Sequence, residues 1–203
     1  MATVTSDKVE NVVEMVVRGY SKLLEVATAT PSTDTLDFIE SLEEYDDLDD
    51  SDLIYTLATW ARLSYVDFKR IWDGLYDSQK NKALDEIEYR LAIVGFENLM
   101  KRLTNNYYIR KNPDLMQKMI NIAKKYVSGK IDLNDFSDAL KNLLWPTEKD
   151  REMDKREYWN FLSGMTLANI YIDEETVKEI VKKYLIDELG KLNALWIPWP
   201  KKS

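Results

Sequence analysis

Apolar side chains at positions 9, 12, 13, 16, 20, 23, 24 and 27 set the first constraint, because steps of three and four line them along one side of a helix. The same stepping returns in nearly every later segment. Leu36, Ile39, Leu42 and Tyr45 follow it, then Leu53, Leu57, Trp60, Ala61, Ser64, Phe68, Ile71, Trp72 and Leu75 in what reads as one strong helix capped by Ser51. From Gln79 to about Asn105 two apolar stripes run side by side, Leu84, Ile87, Leu91, Val94 and Tyr89, Ile93, Phe96, Met100, Leu103. A helix apolar on two sides is covered on two sides, so this one is predicted to be central, with Gly95 admitting a close backbone. The chain is predicted to be all-α: a helical bundle with an N-terminal amphipathic helical arm and a non-helical, aromatic C-terminal tail.

Punctuation divides it further. Pro31, within Ala-Thr-Ala-Thr-Pro-Ser-Thr-Asp-Thr, is expected to end the first helix, making 1–35 an arm with its hinge. The bundle spans 36–194. Asn112-Pro113 opens a helix carrying Leu115, Met116, Met119, Ile120, Ala123, Tyr126 and Val127, and Trp145-Pro146 stops the short helix of Phe136, Leu140, Leu143 and Leu144. Thr147 and Asp173 cap the last two helices, and Gly190 is the expected C-cap of the final one. The tail, 195–203, reads Leu-Trp-Ile-Pro-Trp-Pro-Lys-Lys-Ser. Two prolines deny it a helix, and its apolar surface calls for a seat on its own bundle or in a groove of a neighbouring subunit. Likewise the arm either folds back or docks on another subunit, through Val9, Val13, Val16 and Tyr20; Trp196 and Trp199 would serve the tail.

The chain contains no cysteine and no histidine. That removes thiolate nucleophiles, disulfides, imidazole or thiolate metal sites and imidazole proton shuttles. No phosphate-binding glycine loop, nucleophile elbow or repeat is present, so no catalytic residue, metal ligand or cofactor is assigned and the chain is read as a non-enzyme. The acids at Glu43, Glu44, Asp46, Asp47, Asp49, Asp50 and Asp52 lack the spacing and glycine of a calcium loop and read as a solvated linker. Residues 128–136 resemble the second half of such a loop, but Lys124, Tyr126 and Ser128 stand at the opening positions, which makes a metal-free corner. No apolar run approaches the ~20 residues of a transmembrane helix, and no secretory signal is visible.

Charge is the one functional clue. Between Lys101 and Lys130 the bases Lys101, Arg102, Arg110, Lys111, Lys118, Lys124, Lys125 and Lys130 face a single acid, Asp114, in a chain of net charge −8. Such a stretch suits sequence-independent contact with phosphate, and Asn105, Asn106, Tyr107 and Tyr108 could add hydrogen bonds or stacking. The plain alternative is a solvated helix face, with Lys124 and Lys125 complementing the helix dipole.

A Val-rich N-terminal helix, a break at Pro31 and a bundle of Tyr- and Ile-rich helices, in about two hundred residues free of Cys and His, together resemble the major coat proteins of filamentous DNA viruses of hot-spring archaea, the lipothrixvirus type. The resemblance implies a virion coat protein that self-assembles, alone or with a paralogous coat subunit, and packages double-stranded DNA held by N-terminal helices. It places Lys8, Arg18 and Lys22 near that DNA. Residues 1–55 hold fourteen acids and three bases, so contact by the arm requires the acids to face away or to pair with a basic partner coat protein. The alternative is a cytoplasmic helical adaptor that binds a protein partner through arm or tail.

Overall fold

The computed structural model describes residues 2–26 and 31–196. All regular structure among them is helical. The chain forms two compact units, one up to Gly95 and one from Phe96 on.

The first unit holds α1 (Ala2–Val26), α2 (Pro31–Glu43), α3 (Ser51–Ala61), α4 (Tyr65–Asp73) and α5 (Asp77–Thr104) up to Gly95. The valine stripe of α1 is its core: Val9, Val12, Val13, Val16, Val17 and Tyr20 are all buried, and α1 packs on α3. Of the two fates open to the arm, it takes the first, folding back on its own unit. Gly19 marks the closest approach, since a Cβ there would overlap the Trp60 carbonyl oxygen and lie 3.1 Å from the backbone of Ala61. Beside it Tyr20, Phe38 and Trp60 form a ring cluster, with Trp60 edge-on to both partners at 4.7 Å. Thr35 donates to the Pro31 carbonyl, so the 2.5 Å contact between the Tyr20 and Thr35 hydroxyls has tyrosine as donor.

Several local readings are corrected here. Pro31 opens α2 rather than closing α1, because proline's fixed φ suits a first turn, whose amide needs no partner. Residues 27–30 of the expected hinge lie outside the described residues. The helix expected from Leu53 to Leu75 is two helices: Arg62 takes a left-handed conformation at φ 60° and its amide closes on Ala58 and Thr59 carbonyls. Ser64, counted on the apolar stripe, is instead the N-cap of α4 and accepts from the Asp67 amide. Asp50, not Ser51, caps α3. The acidic loop before it is pinned by Trp72, whose indole N–H donates to the Leu48 carbonyl at 2.8 Å, and by buried Lys80, whose ammonium reaches Asp49 at 2.5 Å. The Gly95 carbonyl accepts from Ser32 Oγ at 3.0 Å, a bond to the main chain that any residue there could make.

Burial, with repulsion from Glu43 and Asp85 added, pushes the Glu88 carboxyl from 4.5 up to about 7. The folded chain therefore keeps this proton at pH values where the unfolded chain has lost it, and stability falls as pH rises across that window. Glu88→Gln is expected to be about 1–2 kcal/mol more stable than the parent at about pH 8, and equal to it near pH 4, in urea melts at the two pH values; the figure allows for partial screening of a half-buried carboxyl.

The second unit begins with the end of α5 and continues through α6 (Tyr107–Arg110), α7 (Pro113–Val127), α8 (Leu133–Leu144), α9 (Glu148–Met153), α10 (Lys155–Ile170) and α11 (Glu174–Val181). A π-helical stretch, Lys182–Glu188, joins α11 to α12 (Leu189–Ala194). Asn112 caps α7 with Pro113 in its first turn, as the sequence predicts, and Thr147 caps α9 in a reciprocal pair with Asp150. The helix expected to run on from Thr147 is interrupted at Asp154, whose carboxylate leaves the helix to accept from the Trp145 indole at 2.9 Å. Gly190 does not end the last helix, which continues to Ala194. α11, the π-helical stretch and α12 all pack on α7, and Asn193 Nδ2 donates to Gln117 Oε1 at 3.1 Å; burial of Leu189 keeps this end helical past the glycine.

Candidate nucleic-acid interface

The bases singled out by sequence fall into two sets, one in each unit. In the second unit α7 buries Met116, Met119, Ile120, Ala123 and Tyr126, which turns Lys118, Lys124 and Lys125 to solvent on the opposite side. Lys118 and Lys125 are two turns apart, so their stems rise from one line about 10 Å apart along the axis. Gln117 and Asn121 share that side and bond each other at 3.0 Å; Asp114 is its one acid, in the first turn. Among the described residues no carboxylate comes within ion-pair reach of Lys118, Lys124 or Lys125. The same holds for exposed Lys101, Arg110 and Lys130.

Arg102 and Lys111 are engaged differently. Arg102 grips Glu157 on α10 through both Nε and Nη2, a forked pair that is about one-third exposed. Its guanidinium is thus spent on joining α5 to α10. Lys111 Nζ stands 3.8 Å above the Tyr107 ring. Asn106 caps α6 by accepting from the amides of Tyr108 and Ile109, which leaves Tyr107 and Tyr108 exposed at 55% and 78%. Asn105 is exposed beside them.

In the first unit the charges of α1 are sorted. Glu10 and Glu14 lie toward α5, where Arg90 takes one carboxylate with each terminal nitrogen, at 3.1 and 3.0 Å. These bonds hold Glu14 below its ordinary range. Lys8, Arg18 and Lys22 lie along the other edge, exposed. Arg18 and Lys22 line a groove of about 650 Å³ with Gly19, Arg62 and Asp67. Arg18 also reaches back to Glu14 at 2.9 Å, while Lys22 and Arg62 have no carboxylate partner among the described residues.

No family model, curated protein or solved structure matches this chain. Its functional reading therefore rests on its own surfaces.

Sequence reasoning passed over Arg62, which stands in a run read as continuous helix; a left-handed residue at a helix end carries no periodic signal. It also could not see that Arg90 pairs with Glu10 and Glu14 on the acidic edge of α1, across 80 and 76 residues. Of the residues assigned to assembly, Val9, Val13, Val16 and Tyr20 are buried within the first unit. Trp196 is partly buried just after α12, and Trp199 lies outside the described residues.

Proposed function

We propose that this chain is a structural, non-enzymatic protein that packages double-stranded DNA, gripping phosphates without reading sequence, with copies laid along the duplex as in the coat of a filamentous virion. The observation that carries this reading is the solvent side of α7, where Lys118, Lys124 and Lys125 stand together with no carboxylate partner among the described residues. Cations already tied to carboxylates gain little from a phosphate; these three keep their full charge for one. The groove beside α1 supports it independently, since Lys22 and Arg62 stand there without a carboxylate partner among the described residues while Arg90 holds Glu10 and Glu14, two of the fourteen acids of the N-terminal third. In this reading α1 holds DNA by its basic edge while its apolar stripe stays in the core, so copies associate through other surfaces.

The test is binding of random-sequence duplex DNA between about 50 and about 200 mM salt. Each phosphate contact contributes ~0.9 to the slope of log affinity against log salt. Changing Lys118, Lys124 and Lys125 together to serine is expected to flatten that slope by about 2.7, and an unchanged slope would remove α7 from the interface. A second reading, a helical adaptor, is favoured by an apolar cleft of about 540 Å³ beside the end of α1, lined by Leu23, Leu24, Phe38 and Trp60 with Asp34 and Asp37. It predicts a monomer that DNA does not retain at any of these salt concentrations.

A further inference from the structure

α10 is apolar on two sides, and its own unit covers one of them. Phe161, Gly164, Met165, Leu167 and Ala168 are buried. On the opposite side, at steps of three and four, stand Trp159, Leu162, Thr166 and Ile170. Trp159 is 53% exposed and Ile170 64%, with Leu162 and Thr166 half-buried between them. The Thr166 hydroxyl donates to the Leu162 carbonyl at 2.9 Å, so covering it would strand no donor. A second apolar stripe of this kind calls for a second neighbour.

Charge says which neighbour. Lys155 begins the same stripe with Arg156 beside it, both exposed, at the end of a helix where the dipole disfavours cations. Among the described residues neither has a carboxylate partner. At the other end of α10 the chain turns into α11 through Asp173, Glu174 and Glu175, all exposed. Asp173 caps α11 and Glu174 pairs with Lys178 at 3.1 Å, whereas Glu175 has no cation partner among the described residues. The apolar stripe thus runs from a positive end to a negative one over the ~24 Å of the helix. Such a surface is complementary to itself turned end for end, which is what a two-fold contact between identical chains requires. A partner of one charge sign would match one end only.

We propose that two copies of this chain pair through α10, antiparallel about a two-fold axis level with the Gly164–Met165 peptide. That register sets Trp159 of each copy against Ile170 of the other. Ser163 meets Thr166 where the helices cross, small side chains that let the axes approach to about 8–10 Å. Lys155 and Arg156 of each copy then face the Asp173–Glu175 turn of the other, which fixes the antiparallel sense. The pairing needs no DNA, and it stands or falls apart from the phosphate-binding reading.

Sedimentation equilibrium of the full-length protein without DNA, from about 1 to about 200 µM, tests it in the range expected of a small contact. The parent is expected to form a concentration-dependent dimer, and Trp159→Ser to raise its dissociation constant roughly tenfold or more, as loss of an aromatic anchor does. Lys155→Glu with Arg156→Glu, and Glu174→Lys with Glu175→Lys, each set like charges against one another at both ends of their own dimers. Each double variant is expected to pair more weakly than the parent. Mixed in equal amounts, the two present opposite charges at both ends again and are expected to recover the dimer, a gain that misfolding cannot produce. A parent that stays monomeric throughout overturns the proposal. So does association indifferent to Trp159→Ser, or a mixture no more dimeric than its components.

Discussion

Gly19→Ala is expected to destabilise the first unit by about 3 kcal/mol, opposite in sign to the usual effect of this exchange inside a helix. Alanine is ordinarily the better helix former by roughly 0.5–1 kcal/mol. Here the added methyl would overlap the Trp60 carbonyl oxygen and crowd the backbone of Ala61 at 3.1 Å. Neither neighbour is a flexible side-chain tip, so relief requires α1 and α3 to separate, at the cost of overpacking and of lost contact along the valine stripe. Urea denaturation followed by far-ultraviolet dichroism measures it. A neutral or stabilising result would show that α1 does not sit on α3 at this distance. Gly190→Ala is the internal control, since nothing lies within 4 Å of a Cβ placed there.

Trp72→Ala is the other large effect, at about 4 kcal/mol. The ring is fully buried and stacks on Phe68 with centroids 6.0 Å apart, so truncation leaves a cavity with little chance of collapse. Trp72→Phe separates the two contributions. It keeps most of the buried volume but removes the donor to the Leu48 carbonyl, at about 1–2 kcal/mol. That carbonyl belongs to the acidic loop between α2 and α3, so the phenylalanine variant is expected to gain proteolytic cleavage near residues 44–50 before global unfolding. Equal stability of the phenylalanine variant and the parent would mean the indole bond contributes nothing net.

Helices were legible in the sequence wherever a local cause sufficed. The Asn112-Pro113 start of α7 and the Thr147 and Asp173 caps each depend on residues within one turn, and α5 on a pattern repeated along a single helix; the structure places them as read. Breaks that obey the same three-and-four stepping were not legible. Ser64 keeps the rhythm across Arg62 and hides the break between α3 and α4, just as Asp154 is hidden between α9 and α10. Gly190 was misread because the surface that keeps the last helix intact lies on α7, far away in sequence. For the candidate interface, the lysines of α7 were legible as a local run of charge, but not their standing apart from carboxylates distant in sequence. The engagement of Arg102 with Glu157, 55 residues on, was not. Nor was the shielding of Glu14 by Arg90, since no local pattern links residues so distant.

The π-helical stretch at Lys182–Glu188 governs the heading of everything downstream. A loop closed from residue i to i+5 holds one residue more than an ordinary turn. The wide turn thus absorbs that residue: Leu189 keeps its burial and Asn193 its bond to Gln117, where one residue added to a helix of ordinary winding would turn both by roughly 100° about the axis. The facing of Leu189, Asn193 and Trp196 is decided one to two turns upstream, by a local unwinding that no side chain at the exit could supply.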